Sequence, residues 1–458
     1  MNPDAIAQIY ASDIISGFDL HKPEILNKMF MRYGDQGLST FQLIRSMGFE
    51  KPVANDSYSH FEENRIHEIC IVKSIVAQPA VGADIEFTLD SDSLDASNRY
   101  YVRKWDTILF PNEVTGSVVD IDVTTPTAPV VTVTLHDDTD QFPALTAGEE
   151  LVIYSNAFSE GSGQPDSAIS GAYKYTNDAQ IIKETIGFTG TEMVNQSWVE
   201  VYNGNKLVGY YMKGQLDIDY RMSLRADGAF LWGKRIVNTA LVDADNENRA
   251  IKGTEGLVPY IRRLGHEQSY TSGAFTVSEF NDMSKTLDRE GVGNYILGLL
   301  GIDCHVDIED TLKTYLADTN IQFARQAVNN DILKGNESLG ISINFKYLTK
   351  SERTFMFKRM HTFNNPKLYG ATGYDMSKYG IFLPIKKGKD AMTGEMMDSI
   401  GCRYRALGQY NRKMEVWSVG GAGNGLKVTQ FDKKNTYMRS HLGTHFMGGN
   451  QFLILEPA

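Results

Sequence analysis

An α+β chain, helical in its middle and stranded on either side, is what the 458-residue sequence predicts. Three observations carry that reading. The stretch from Ser197 to Val237 has a helical stripe and lies in a span without proline, from Pro165 to Pro259. From about His67 the pattern switches to period two with β-branched residues. From Ser338 onward the chain returns to strands, so a C-terminal strand is free to come back under the earlier parts.

The helical stripe runs Leu207, Tyr211, Gly214, Ile218, Met222, Arg225, Ala229 and Trp232, at steps of three and four. Lys206, Lys213, Asp217, Asp219 and Asp227 fall on the opposite face. Some thirty residues of helix span about 45 Å, the width of a domain. Periodicity alone implies an ordinary long core helix, a strut on which other layers rest.

Before the strut, residues 1–64 read as short helical pieces with apolar stripes (Ile6, Ile9 and Tyr10; Ile25, Leu26, Met29 and Phe30) and no core of their own. Such a segment must pack on the rest of the chain or on a neighbouring copy. Strands are expected at Glu68–Val76, Asp84–Leu89, Thr107–Phe110, Gly116–Val123, Val130–Leu135 and Glu150–Tyr154, punctuated by turn residues such as Pro111-Asn112 and Pro126-Thr-Ala-Pro129. Short strands at this spacing predict a small β-barrel or sandwich. It ends at the Gly- and Ser-rich run Phe158–Pro165. Asn177–Met193 reads as an extended arm, a hairpin or strand pair leading into the strut.

Beyond the strut, Thr276-Val-Ser-Glu279 is a capping-box pattern opening a helix to about Leu287, and Asp307–Gln326 is the next helical stretch. Strands then follow at Ser338–Leu348, Gly380–Ile385, Met414–Val419 and Phe452–Leu455.

The chain is 42% hydrophobic and 22% charged, which excludes disorder and fibrous repeats. Its net charge of −12 has the wrong sign for a broad nucleic-acid grip. Cys70, Cys304 and Cys402 fit neither a disulfide framework nor a zinc spacing, so reduced, buried thiols are expected. No apolar run reaches membrane-spanning length, and Asp4, Asp13, Asp19 and Glu24 interrupt any signal peptide. The expectation is a protein kept in a cytosol, or released from it by lysis.

Candidate chemistry is thin. His441 and His445 stand four apart, but Gly443 between them is a poor helix residue and no glutamate follows the first histidine. Cys304-His305 lacks a partner, and Asp90–Asp95 lacks the glycine and distal glutamate of a calcium loop. Asp137, Asp138 and Asp140 read as a solvated turn. Gly420–Gly425 is neither a dinucleotide fingerprint nor a phosphate loop, and Lys386-Lys387-Gly-Lys389 reads as a solvated basic loop. No catalytic, cofactor-binding or metal residue is assigned, and no enzyme is expected.

The order of parts, with several local phrases, resembles a family. Ala157-Phe-Ser-Glu160-Gly followed by Tyr175-Thr-Asn177-Asp-Ala-Gln180-Ile is similar to the extended-loop region of tailed-phage major capsid proteins of the Hong Kong 97 type. Arg225-Ala-Asp-Gly-Ala-Phe230-Leu-Trp-Gly233-Lys resembles the exit of their spine helix, and Tyr437–Gly443 with Asn450–Leu455 their C-terminus. The likeness covers nearly the whole chain, through packing signatures, and is greatest to the capsid proteins of crAss-like gut phages.

That resemblance implies a Hong Kong 97-like phage capsid fold with a long spine helix, an extended loop and an inserted all-β module. Its parts would be an N-terminal arm (1–64), an inserted β-barrel or sandwich (65–157), an extended-loop return arm (158–196), the spine helix of the peripheral domain (197–242), an axial-domain α/β region (243–400) and C-terminal strands returning to the peripheral domain (401–458). The implied role is a structural protein of the virion, assembled in the host bacterial cytoplasm. Copies would self-assemble into hexamers and pentamers of an icosahedral head around packaged double-stranded DNA. The implied partners are other copies of itself, with portal, scaffold and auxiliary or decoration proteins, DNA held only non-specifically, and no membrane. No lysine–asparagine cross-linking pair maps onto this sequence. The rival is a phage tail component or other multidomain binding protein whose β-module recognises a ligand.

Overall fold

A computed structural model describes residues 40–63, 70–94, 100–165, 172–194, 201–203, 206–208, 210–319, 346–350, 353–365, 375–385, 387–389, 396–422 and 430–458. The chain divides into two compact units, Met1–Tyr58 with Asn177–Ala458, and Ser59–Thr176. Among the described residues, no helix is long and apolar enough to cross a membrane.

The described chain opens with α1 (Thr40–Ser46), whose Phe41, Leu43 and Ile44 are buried in the core of the larger unit. Its first turn is capped from elsewhere: the Phe41 N–H donates to Asp227 Oδ1 at 2.9 Å. A carboxylate there satisfies a donor that the helix cannot, and meets the positive end of its dipole. Gly48 turns the chain into β1 (Glu50–Val53), an edge strand that tolerates Pro52 and pairs in parallel with a late strand, Ile400–Leu407. Residues 40–53 therefore pack on this chain's own core; residues 1–39 lie outside the described residues.

The smaller unit begins in β2 (Ser57–Glu63). Then follow β3 (Cys70–Ile71), β4 (Ile85–Thr88), β5 (Asp106–Leu109), β6 (Thr115–Asp122), β7 (Val130–Leu135) and β8 (Glu150–Asn156). It ends in β9 (Ala172–Asp178), which pairs with β2 in a two-stranded ribbon. The sheet order β3-β8-β5-β6-β7-β4 would leave β3 and β4 as free edges. Those edges meet: Val72 bridges Leu89, Lys73 N–H donates to the Thr88 carbonyl, and Asp90 N–H to the Ile71 carbonyl. The sheet closes, so the module is a barrel and not a sandwich. Alternation fills it, with Ile85, Phe87, Ile108, Val118, Val131, Val133 and Leu151 buried inside, and Phe142 joins them from the β7–β8 connection. The expected first strand is cut short at Ile71 and continues only as bridges at Val72 and Val76; Glu68 lies outside the described residues.

In the larger unit, β10 (Gln180–Thr189) leads to a short helix, α2 (Gly190–Val194). A hairpin of β11 (Val201–Asn203) and β12 (Lys206–Val208) precedes α3 (Tyr210–Trp232). The long helix thus starts at Tyr210, and Leu207, placed on its stripe by spacing, is in a strand. Its buried line is Ile218, Met222, Ala226 and Phe230, with Leu231. Arg225 has turned out of that line to pair with Glu184 of β10. Asp227, expected on the solvent face, is instead fully buried, holding α1.

The exit of α3 needs two glycines. A Cβ on Gly256 would lie 2.6 Å from the Gly233 nitrogen, and the Gly256 N–H donates to the Gly233 carbonyl at 2.7 Å. Between them lies a small ladder of β13 (Val242–Asp243) and β14 (Arg249–Ala250).

Then come α4 (Leu257–Leu264), β15 (His266–Tyr270), α5 (Val277–Arg289), β16 (Tyr295–Leu300) and α6 (Ile302–Thr319). The Thr276–Glu279 capping box forms: Glu279 N–H donates to Thr276 Oγ1 at 3.2 Å, and Thr276 N–H to Glu279 Oε2 at 2.6 Å. The next helix begins five residues before its expected start at Asp307, and residues beyond Thr319 lie outside those described.

The strands after it are β17 (Lys346–Lys350), β18 (Arg353–Arg359), β19 (Gly380–Pro384), β20 (Lys387–Lys389), β21 (Met396–Asp398), β22 (Ile400–Leu407), β23 (Tyr410–Asn411), β24 (Glu415–Gly420), β25 (Lys433–Phe446) and β26 (Leu453–Pro457). One mixed sheet has the order β15-β26-β19-β16-β18-β17, so the last strand of the chain sits inside it. Both faces are covered, which explains the unbroken apolar run of β16. Ile296 and Leu300 join Phe355, Phe382, Phe280 and Met283 on one side. Leu297 and Leu299 join Met356, Ile381, Tyr260 and Phe230 on the other. The second sheet is organised by β25, which pairs with β10 over ten residues and with β24 and then β22 on its other edge. α3 packs on its β10–β25 face through Ile182, Met438, Leu442 and Phe446.

Candidate interaction surfaces

The residues singled out for chemistry do not assemble. His441 and His445 lie on strand β25, where four residues span about 13 Å, too far for one metal. Both are buried. Cys70, Cys304 and Cys402 are free and buried. Burial pushes the Cys70 and Cys304 thiols up to about 12 and raises Cys402 further, so none is a thiolate at neutral pH. Asp90 turns its carboxylate onto the Asp92 N–H, and Asp137 onto the Thr139 N–H and hydroxyl. Asp95, Gly423–Gly425 and Lys386 lie outside the described residues. Among the described residues, no group of three or more acidic, histidine or cysteine side chains converges as a metal site.

What the larger unit does concentrate is a half-buried polar network at the two places where its chain leaves for and returns from the barrel. Tyr58 O–H donates to the Thr444 carbonyl of β25. Asn177 Nδ2 donates to that carbonyl at 3.1 Å and to Thr444 Oγ1 at 2.9 Å. Its Oδ1 accepts from Glu255 N–H at 2.8 Å, and Thr444 N–H donates to Thr254 Oγ1 at 3.0 Å. Asp178 takes Arg235 Nε at 2.8 Å and the Ser57 hydroxyl. Asp56 pairs with Arg405 and with Lys252 at 3.7 Å, and lies 3.8 Å from His441 Nε2. Gly443 has to be glycine, because a Cβ would run into the Tyr58 ring.

Burial, then Arg412, holds the His441 imidazole down to about 4, so it is neutral at pH 7. Burial likewise lowers Arg403 and raises the Tyr58 hydroxyl. The network's hydroxyls are engaged in these hydrogen bonds. It fixes strand ends. No motif could announce it, because the network partners of Thr444 lie 189 to 386 residues away.

The surfaces left open are of another kind. On the face of β24–β25 turned away from α3, Trp417 stacks on Tyr437 at 5.5 Å and Arg439 lies over Trp417 at 5.2 Å. Glu415 joins Arg439 Nε at 2.6 Å and Tyr410 O–H at 2.6 Å. Trp417 remains 40% exposed, Ile181 on the same face 45% and Phe431 beyond it 61%. In the mixed sheet, no described strand pairs with the outer edge of β15 or of β17. The barrel has its own exposed apolar residues, Leu109, Val152 and Tyr154 on β5 and β8.

No protein-family model matches the chain, and no curated protein matches it. Solved structures do resemble it. One from Gordonia phage Cozz is 10% identical with a TM-score of 0.41, over 100% of this chain and 98% of that one. Another, from Microbacterium phage Oxtober96, is 8% identical with a TM-score of 0.41, over 98% and 99%. The capsid of a native GTA particle is 8% identical with a TM-score of 0.40, over 98% and 99%.

Proposed function

We propose that the chain is the major capsid protein of a tailed double-stranded DNA bacteriophage with a Hong Kong 97-like fold, most like those of crAss-like gut phages. The observation that carries this is the larger unit's construction: a 23-residue helix laid on a long paired arm, beside an uncovered aromatic face and a mixed sheet unpaired at both edges among the described residues. A protein that works alone covers or blunts such surfaces; a shell subunit applies them to its neighbours.

In this reading α3 is the spine of the peripheral domain (197–242) and the mixed sheet belongs to the axial domain (243–400). Residues 401–458 return to the peripheral domain, 158–196 form the return arm, 65–157 the inserted module and 1–64 the arm. Copies join as hexamers and pentamers and close an icosahedral head around packaged DNA. The net charge of −12 keeps the subunit from gripping that DNA electrostatically. Portal, scaffold and decoration proteins complete the virion, which is assembled in the bacterial cytoplasm, and the subunit itself catalyses nothing.

Negative-stain electron microscopy with sedimentation tests the reading, with five- and six-membered rings or closed shells expected. A chain that stays monomeric, alone and when co-produced with a scaffold protein from the same genome, overturns it. The closed barrel would then put a tail or other ligand-binding protein first.

A further inference from the structure

The two outer strands of the mixed sheet differ in the charge of their sequences. At one, Glu267 and Ser269 of β15 are exposed and line a groove against Glu279, Asp282 and Thr286 of α5. Lys285 offsets part of this acidity, through Asp282 at 2.8 Å, and Glu279 is held by Thr276. The groove stays net negative, with Glu267, Glu279 and Asp282 against Lys285. At the other edge β17 reads Lys-Tyr-Leu-Thr-Lys, starting and ending on lysine, and the strand beside it ends in Lys358-Arg359. Neither edge is paired among the described residues.

A strand edge presents a row of N–H and C=O groups that must meet water or another strand. A twofold contact between copies would set Glu267 against Glu267, or Lys346 against Lys346, and like charges facing each other weaken association. A head-to-tail contact sets acid against base at every step. Such a heterologous contact uses two different patches per copy, and it closes into a ring when its rotation divides a full turn.

We propose that the β15 edge of one copy docks the β17 edge of the next, and that this pairing of acidic and basic edges drives ring closure. The proposal rests on the capsid reading and adds which surfaces of the mixed sheet meet. The occupant of the β15 groove is a second copy of this chain through Lys346–Lys350.

The test is a charge swap read by sedimentation and negative-stain microscopy, with circular dichroism and thermal melting showing that each variant folds. The E267K/D282K chain has two basic edges and is expected to lose ring formation. The K346E/K350E chain has two acidic edges and is expected to lose it too. Mixed one to one, they regain rings, and because the two kinds must alternate, only even-numbered rings form. Five-membered rings vanish from the mixture while wild type keeps them.

Rings that persist in folded E267K/D282K chain overturn the proposal while leaving the capsid reading intact. So does rescue of E267K/D282K by K386E/K387E in place of K346E/K350E, which would assign the groove to the basic loop around Lys387. A wild-type chain that never forms rings sinks both.

Discussion

The barrel and the larger unit handle strand edges in opposite ways. In the barrel, β3 and β4 would be the exposed edges, and the bridge from Val72 to Leu89 joins them. Its core of Cys70, Phe87, Phe110, Phe142 and their neighbours is filled from its own strands and connections. The larger unit leaves the outer edges of β15 and β17 unpaired among the described residues and exposes Trp417 beside Tyr437. Closure removes an edge at the expense of a docking surface, and openness keeps the surface at the expense of self-sufficiency. One chain therefore combines a unit whose sheet closes on itself with a unit whose mixed sheet keeps two open edges among the described residues.

If the barrel's stability is its own, damage to its core should stay there. Phe142 is fully buried and packs its ring 4.6 Å from that of Phe110. Phe142→Ala is expected to cost about 3–5 kcal/mol, from lost transfer energy and the cavity left behind. In calorimetry the barrel's transition should drop while that of the larger unit holds its temperature. A single transition moving as one would remove the contrast between the units.

The complementary break is Asp227→Ala in the larger unit. It leaves the Phe41 N–H without its acceptor in a buried place, a loss of about 1–3 kcal/mol. Amide exchange should rise over Thr40–Ser46 and leave the barrel untouched. Unchanged protection of α1 would mean that Phe41, Leu43 and Ile44 hold it without the cap.

These two sites also divide what the sequence could disclose. The barrel was legible because its signal is local: alternation in Val130–Leu135 names both the strand and the residues facing in, and turn residues bound it. Its closure was not, since Val72 meets Leu89 by register and not by spacing. The start of α3 was obscured because Leu207 falls on the helical stripe by chance. The Gly204-Asn205 pair between Val201-Tyr202-Asn203 and Lys206-Leu207-Val208 is a hairpin signal that argues against it. Asp227 misled for a deeper reason: an aspartate among polar helix residues reads as solvated unless a donor from far along the chain reaches it, here 186 residues away. The network around Thr444 was hidden in the same way. Asn177 and Asp178 lie in a phrase that resembled capsid proteins, but only the fold brings them to Glu255, Arg235 and Thr444.

The smallest expected effect concerns pH, and it separates the units once more. His441 lies buried near Asp56, with Arg412, Arg405 and Lys252 around it and a backbone hydrogen bond to Ala179. Its pKa falls from 6.5 to about 4 in the folded chain, chiefly through burial, so the unfolded chain binds the proton first as pH drops. The contribution of neutral His441 to stability is complete above pH 6.5 and is lost progressively as pH falls through about 4. His441→Gln keeps a polar group of similar size and removes the titration. The melting temperature of the larger unit should therefore fall less steeply between pH 6.5 and 4 in that variant than in wild type, with the barrel's transition alike in both. Equal slopes would show that the imidazole does not set the acid response of the larger unit.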